Sequence, residues 1–215
     1  MVGILKKPKK YYESGREEML EYIPAECHLI LEVGCGAGNF GFNLKRRNGA
    51  EVWGIEVNQN QANNASKLLD KVVCGDIESV IGNIPDNHFD CIVFNDSLEH
   101  LTYPYEILSK IKEKLVNGGL IIASIPNVRF IVNLKELLID KDWRYRDEGI
   151  LDNTHFRFFT KKSIIRMFEE NDFEIISISG INPTKKFIFY VLNFISLGLF
   201  SDSKYLQFAC VVRKK

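Results

Sequence analysis

Nothing in the sequence is long and apolar enough for a membrane-spanning helix, since no run reaches the roughly 18 apolar residues that one needs. The nearest approach, Phe187–Phe200, is interrupted by Asn193, Ser196 and Gly198. An excess of either charge is also missing. The 28 basic and 28 acidic residues cancel, which leaves no overall field to hold a polyanion and disfavours nucleic acid as a partner. Among the five cysteines (Cys27, Cys35, Cys74, Cys91 and Cys210) there is no CxxC pair, and the odd number argues against a disulfide framework. Most of them fall in apolar, strand-like runs, as reduced core thiols of a cytoplasmic protein do. No His/Cys cluster has zinc spacing, and Asp96 is the only good oxygen ligand in view, so no metal is expected. The four lysines of residues 1–10 are not followed by an apolar segment, so a signal peptide is not expected. Repeats, low-complexity tracts and linkers are absent, and one domain over residues 1–215 is expected.

What is there is a rhythm. The chain is 46% hydrophobic, enough for a substantial core. Tyr11–Ile23 reads as an amphipathic helix ended by Pro24. Short apolar runs then alternate with helical patterns. Strands are expected at His28–Val33, Glu51–Val57, Lys71–Cys74, Phe89–Phe94 and Leu120–Ile125. Helices are expected at Asn39–Asn48, Asn58–Leu69 and Tyr103–Leu115. Such alternation argues for a parallel sheet covered on both faces. After Pro126 the period loosens. Asn127–Asp140 has a helical pattern, and Lys141–Phe159 mixes charge and aromatics without period. Thr160–Asn171 reads as a helix capped by Thr160, Phe173–Ser179 as a strand, Lys185–Phe200 as an apolar helical insertion, and Leu206–Arg213 as a last strand.

The strongest local feature is Leu31-Glu32-Val33-Gly34-Cys35-Gly36-Ala37-Gly38-Asn39-Phe40-Gly41, which leaves the first strand and opens the first helix. Glycines there permit a tight turn and a close approach of ligand to backbone. Alone it is weak, because residues 36–41 also satisfy the dinucleotide pattern GxGxxG. Two acids sharpen it. Glu56 ends the second strand, where a carboxylate can take ribose hydroxyls in either nucleotide class. Asp76, in Gly75-Asp76-Ile77 after the third strand, can accept from an adenine amino group, while the Ile77 amide serves a ring nitrogen. The plainer role for Asp76 is capping.

Glu32-x-Gly34-x-Gly36-x-Gly38, Glu56, Gly75-Asp76-Ile77, Phe89-Asp90-x-Ile92-x-x-x-Asp96 and Asn117-Gly118-Gly119 occur in order. In this combination the chain resembles class I S-adenosylmethionine (SAM)-dependent methyltransferases, strongly over about residues 28–126 and loosely beyond. The resemblance implies a Rossmann-like, doubly wound α/β fold with a seven-stranded sheet, mostly parallel with its last strand antiparallel. It implies SAM as cofactor and S-adenosylhomocysteine (SAH) as product. Glu32 and the turn through Gly34, Cys35, Gly36 and Gly38 would meet the methionine half, Glu56 and Val57 the ribose side, Asp76 and Ile77 the adenine. Asn95 would lie beside the methyl donor.

Methyl transfer needs little from the protein beyond positioning and exclusion of water, but an oxygen acceptor also needs to lose a proton. His100, just past the fourth strand in Leu98-Glu99-His100, and His155, in Asp152-Asn153-Thr154-His155-Phe156-Arg157, are the candidate bases. Trp143–Phe159 gathers aromatics and arginines and is expected to close over the acceptor within a lid region of residues 127–160, followed by the C-terminal helix and strands of 160–215. The reaction expected is O-methylation of a small molecule or a sugar-containing precursor. A SAM-binding scaffold without turnover and an NAD-dependent oxidoreductase are the alternatives; the latter lacks a Tyr-x-x-x-Lys pair. The basic ends, Lys6–Lys10 and Arg213–Lys215, read as solvated tails. The apolar stretch 187–200 reads first as a buried helix, then as acceptor cover, homodimer contact or a peripheral membrane contact.

Overall fold

A computed structural model describes residue 12 and residues 15–215. Seven strands form one sheet: β1 (Leu29–Val33), β2 (Glu51–Glu56), β3 (Lys71–Cys74), β4 (Phe89–Asn95), β5 (Leu115–Pro126), β6 (Phe173–Pro183) and β7 (Tyr205–Lys214). Their order is β3-β2-β1-β4-β5-β7-β6. All run parallel except β7, which lies antiparallel between β5 and β6. This is the doubly wound sheet expected, with the last strand reversed.

The helices are α1 (Glu17–Leu20), α2 (Asn39–Asn48), α3 (Gln59–Ala65), α4 (Ile77–Val80), α5 (Pro104–Lys114), α6 (Ile131–Lys135), α7 (Lys161–Glu170) and α8 (Phe187–Ile195). Side chains alternate across the strands, so each face of the sheet feeds a separate core. Ile30, Val52, Val93 and Ile122 pack under Met19 of α1 and Phe40 and Leu44 of α2. Leu31, Ile55, Phe94 and Ile121 pack under Ile107 and Leu108 of α5 and Met167 and Phe168 of α7. Thr160 caps α7 as expected, in a reciprocal box with Ser163, which contributes about 1 kcal/mol. Asp90 fixes the entry of β1 by accepting from the His28 and Leu29 amides at 2.9 Å each.

Several expectations are corrected. Only Glu17–Leu20 of the first expected helix is helical among the residues described beyond Tyr12; Arg16 before it is left-handed, with φ of 40°. Residues 58–69 are not helical throughout: Ser66 closes α3, and a turn brings Leu69 back under Gly54. Asn127–Asp140 divides into the short α6 and a π-helical turn, Glu136–Asp140. Arg213 and Lys214 are not a tail; they finish β7, with Lys214 donating to the Leu115 carbonyl at 2.6 Å. Lys6–Lys10 lie outside the described residues. Four of the cysteines are buried thiols, but Cys74 is exposed. The stretch after Lys186 is not a buried helix, because Phe189 alone of α8 is buried. No helix among the described residues is long and apolar enough to cross a membrane.

Candidate active site

The strand order reverses direction at β1, whose neighbours are β2 on one side and β4 on the other. In open α/β sheets such a switch point leaves a crevice outside the carboxyl ends of the strands. The register brings those ends level: Val33 stands between Ile55 and Phe94, and Glu56 opposite Cys74. A cavity of about 540 Å³ opens there, lined by residues from all four strand ends, including Glu32, Gly34, Cys35, Gly36, Glu56, Val57, Asp76, Ile77 and Asn95. The sequence-predicted cofactor residues are therefore brought together, with the exception of Gly38. That glycine, at φ of 87°, starts α2, and a Cβ on it would come within 3.0 Å of Ala65 Cα in α3. Its role is close packing of two helices.

The glycine turn does not act by offering amides. Gly34 and Cys35 N–H both donate to the Ile55 carbonyl, Ala37 N–H to the Tyr12 carbonyl and Gly38 N–H to the Cys35 carbonyl. Gly36 N–H donates to Glu56 Oε2 at 2.9 Å. With all five donors satisfied and a carboxylate seated on the turn, no cradle faces a pyrophosphate, as dinucleotide binding requires. What the turn provides is room: Gly36 has φ of 53°, and a Cβ there would stand 2.8 Å from the Tyr12 carbonyl oxygen. Cys35 contributes backbone only, since its thiol packs against Gly54.

Glu56 also accepts from Asn58 N–H at 2.8 Å. The two carboxylate oxygens together offer four acceptor sites, so the amides do not exhaust them. Burial pushes this carboxyl up, opposed by the Asn58 and Gly36 amides. Asp76 caps α4 by accepting from Glu78 N–H through Oδ1, while its side chain also borders the cavity. Capping and ligand contact are thus compatible in geometry. Val57 is exposed on the cavity wall, whereas Ile77 is buried there.

The cavity wall around Glu32 has an electrostatic demand. Glu32 is buried, and burial pushes its carboxyl up to about 8, opposed by the nearby Asn95 amide and the Gly41 N–H. Glu32 Oε2, both amide atoms of Asn95 and the Ser97 hydroxyl are buried without hydrogen-bond partners. Orphaned donors and acceptors of this kind need a ligand offering both signs. A zwitterionic amino-acid end has that chemistry, and the residues present fit SAM.

The cavity is also walled by Tyr12, Arg16, His100, Thr154 and Phe156. The turn Leu98–His100 is tied to the later segment by backbone bonds, because Phe156 and Arg157 N–H both donate to the Glu99 carbonyl. His100 Nδ1 stands 3.0 Å from the Thr154 carbonyl, and His155 Nδ1 stands 2.9 Å from the Ile150 carbonyl. The two rings meet edge to face at 4.7 Å. His100 borders the cavity and His155 lies behind it. Arg157 turns away, donating to the Thr102 carbonyl, and Trp143 stacks on Phe158 at 5.4 Å. Of the segment expected to close over the acceptor, Thr154 and Phe156 line the cavity. Glu99, Ser97 and Arg16 were not singled out from sequence. The Glu-His pair at residues 99–100 was the available signal for the first.

Residues 6–178 match the methyltransferase-domain family. The chain is 23% identical over 178 residues to the mitochondrial ubiquinone biosynthesis O-methyltransferase of Dictyostelium discoideum, covering 75% of this chain and 55% of that protein. It is 26% identical over 166 residues to the Schizosaccharomyces pombe protein of the same name, covering 73% and 60%. The chain thus spans little more than half the length of these curated relatives. A SAM-dependent methyltransferase structure from Archaeoglobus fulgidus superposes with a TM-score of 0.73 at 19% identity, over 96% of this chain and 97% of that one. A Thermotoga maritima SAM-dependent methyltransferase gives 0.66 at 18% identity, over 95% and 89%. The chain belongs to the methyltransferase-domain family of the class I SAM-dependent superfamily. Its cofactor is SAM and its product SAH.

Proposed function

We propose that this domain methylates a hydroxyl oxygen of a small molecule or sugar-containing precursor. The observation that carries the reading is the His100 ring at the acceptor end of the cavity. A carbonyl only accepts, so in the neutral ring the contact with Thr154 places the proton on Nδ1 and makes Nε2 the basic nitrogen. His155 holds the same tautomer against Ile150 and backs His100. The likeness to two ubiquinone biosynthesis O-methyltransferases supports an oxygen acceptor.

Bound SAM supplies an electrophilic methyl group on a sulfonium centre. In this reading Glu32 faces its ammonium, and Gly34, Cys35 and Gly36 give the methionine half space. Glu56 takes the ribose hydroxyls, Val57 flanks the base, and Asp76 with Ile77 receives the adenine. Asn95 borders the methyl position. Residues 127–160 supply the acceptor wall through Thr154 and Phe156. An acceptor with an apolar tail also gives the exposed stretch 187–200 a purpose. Phe187 is 79% exposed, Phe194 84% and Leu197 95%, next to the exposed Lys185 and Lys186. Aromatics and aliphatics beside lysines suit peripheral contact with an anionic lipid surface. The test is SAH release with a panel of phenols, catechols with and without isoprenoid tails, and hydroxylated sugars. Methylation confined to amine or carbon acceptors would overturn the assignment, and SAM binding without turnover on any acceptor would favour a scaffold.

A further inference from the structure

Glu78 stands outside the cavity lining, yet it anchors the turn that carries His100. It lies in α4 directly after Ile77. Its Oε1 accepts from the Thr102 N–H at 2.9 Å and from the Tyr103 N–H at 3.1 Å. Tyr103 precedes the eleven-residue α5 and makes no side-chain cap of its own. The Glu78 carboxylate therefore supplies an acceptor at the start of α5, and its charge suits the positive end of that helix.

A second grip closes on the same residue. The Thr102 carbonyl accepts from the Arg157 guanidinium, so both backbone groups of Thr102 are held from distant segments. The Arg157 segment also holds the preceding turn. Phe156 and Arg157 N–H donate to the Glu99 carbonyl, and His100 Nδ1 meets the Thr154 carbonyl. The turn's own closing bonds are long, 3.2 Å from His100 N–H to the Ser97 carbonyl and 3.3 Å from Leu101 N–H to the Leu98 carbonyl. A single 3₁₀ turn of that kind holds itself poorly, so its place is set by the groups that grip it. In the chain only Leu101 separates His100 from Thr102, and His100 and Leu101 both line the cavity.

We propose that Glu78 is a positioning residue for methyl transfer, holding Thr102 and Tyr103 so that the His100 ring keeps its place on the cavity wall. The role rests on the O-methylation reading, in which His100 takes the acceptor proton. Proton abstraction requires hydrogen-bond reach, and a misplacement of about 1 Å costs on the order of 10²-fold in rate. The same short helix presents Asp76 and Ile77 to the cavity. It thereby sets the spacing between the side given to adenine and the base.

The test compares Glu78→Ala, which removes the acceptor from both amides, with Glu78→Gln, whose side-chain oxygen still accepts. SAM calorimetry and circular dichroism establish that both variants fold and bind the donor. Hydrogen exchange reads the anchor: the Thr102 and Tyr103 amides should exchange ~10-fold faster or more in Glu78→Ala. Initial rates with the fastest hydroxyl acceptor of the panel read the role. At pH 7 kcat should fall ~10–100-fold in Glu78→Ala with KM for SAM nearly unchanged, and Glu78→Gln should recover most of it. A phenol ionises unaided near pH 10, as tyrosine does, so with a phenolic acceptor the deficit should narrow as pH rises towards that value. A deficit equal in both variants, or constant with pH for a phenol, leaves Glu78 a structural role alone and overturns the proposal. Unchanged exchange or a wild-type kcat in Glu78→Ala overturns it while the O-methylation reading stands. If no hydroxyl acceptor turns over in the wild-type protein, that reading falls and the role falls with it.

Discussion

Replacing Glu32 with Gln tests the electrostatics of the donor pocket. In the free protein Glu32 is buried and its carboxyl is held up at about 8, first by that burial. An unfolded glutamate titrates near 4.3. Between those values the unfolded chain has lost the proton and the folded chain retains it, so stability falls as pH rises through this window. The full effect is on the order of 5 kcal/mol, approached near pH 8 and absent below about pH 4. Glu32→Gln cannot ionise, so its denaturation midpoint should lack this decline and exceed that of the wild type at pH 8. SAM should reverse the sense. An ammonium beside Glu32 favours the carboxylate, so binding at pH 7 should release close to one proton. Affinity should then rise up to about tenfold from pH 6 to pH 7, while the ligand's own ammonium is intact. Calorimetry in two buffers of different ionisation enthalpy measures the proton count directly. Glu32→Gln should bind SAM ~10–100-fold more weakly, the loss of a charge-assisted bond of about 1.5–3 kcal/mol. No proton release at pH 7, together with equal SAM affinity in the variant, would refute a cation contact at Glu32.

Gly36→Val should abolish SAM binding with circular dichroism unchanged, because the new side chain meets the Tyr12 carbonyl and φ of 53° strains a branched residue; normal binding would place the donor elsewhere. Asp76→Ala should weaken SAM binding by about 1–3 kcal/mol and lose about 1 kcal/mol of stability with the α4 cap. Asp76→Ser keeps the cap, so restored stability without restored affinity separates the two roles. His100→Ala should lower turnover ~10²–10⁴-fold, the loss of a general base at the cavity wall; an unchanged kcat with the true acceptor would remove His100 from that role. The pair Phe187→Glu and Phe194→Glu should abolish co-sedimentation with anionic phospholipid vesicles without altering SAM binding. Persistent co-sedimentation would dismiss the lipid contact, and a concentration-dependent dimer lost in the variant would assign the patch to self-association.

The first half of the fold was legible because its signals are local. The apolar run Leu29–Val33 stops at glycine, as a short buried parallel strand bounded by a turn signal does. The α2 and β3 bounds match those expected, and the acids at positions 56 and 76 fall at strand ends where their spacing placed them. What the sequence hid depends on contacts between distant segments. The engagement of the amides from Gly34 to Ala37 needs β2 and Tyr12 in place. Glu99 comes within 3.9 Å of His155 only because the segment near residue 155 docks on the turn at residue 99. The exposure of α8 ran against its composition, since an apolar stretch reads as buried unless its partner lies outside the chain.

The cavity at the ends of β1 to β4 suits SAM and not a dinucleotide. Titration calorimetry of the protein with SAM, SAH and NAD tests it in one series. Saturable one-to-one binding of SAM and SAH, with no heat from NAD, is the expected result, given a turn without spare amides and a carboxylate where a pyrophosphate would lie. Measurable NAD affinity without SAM affinity would contradict it.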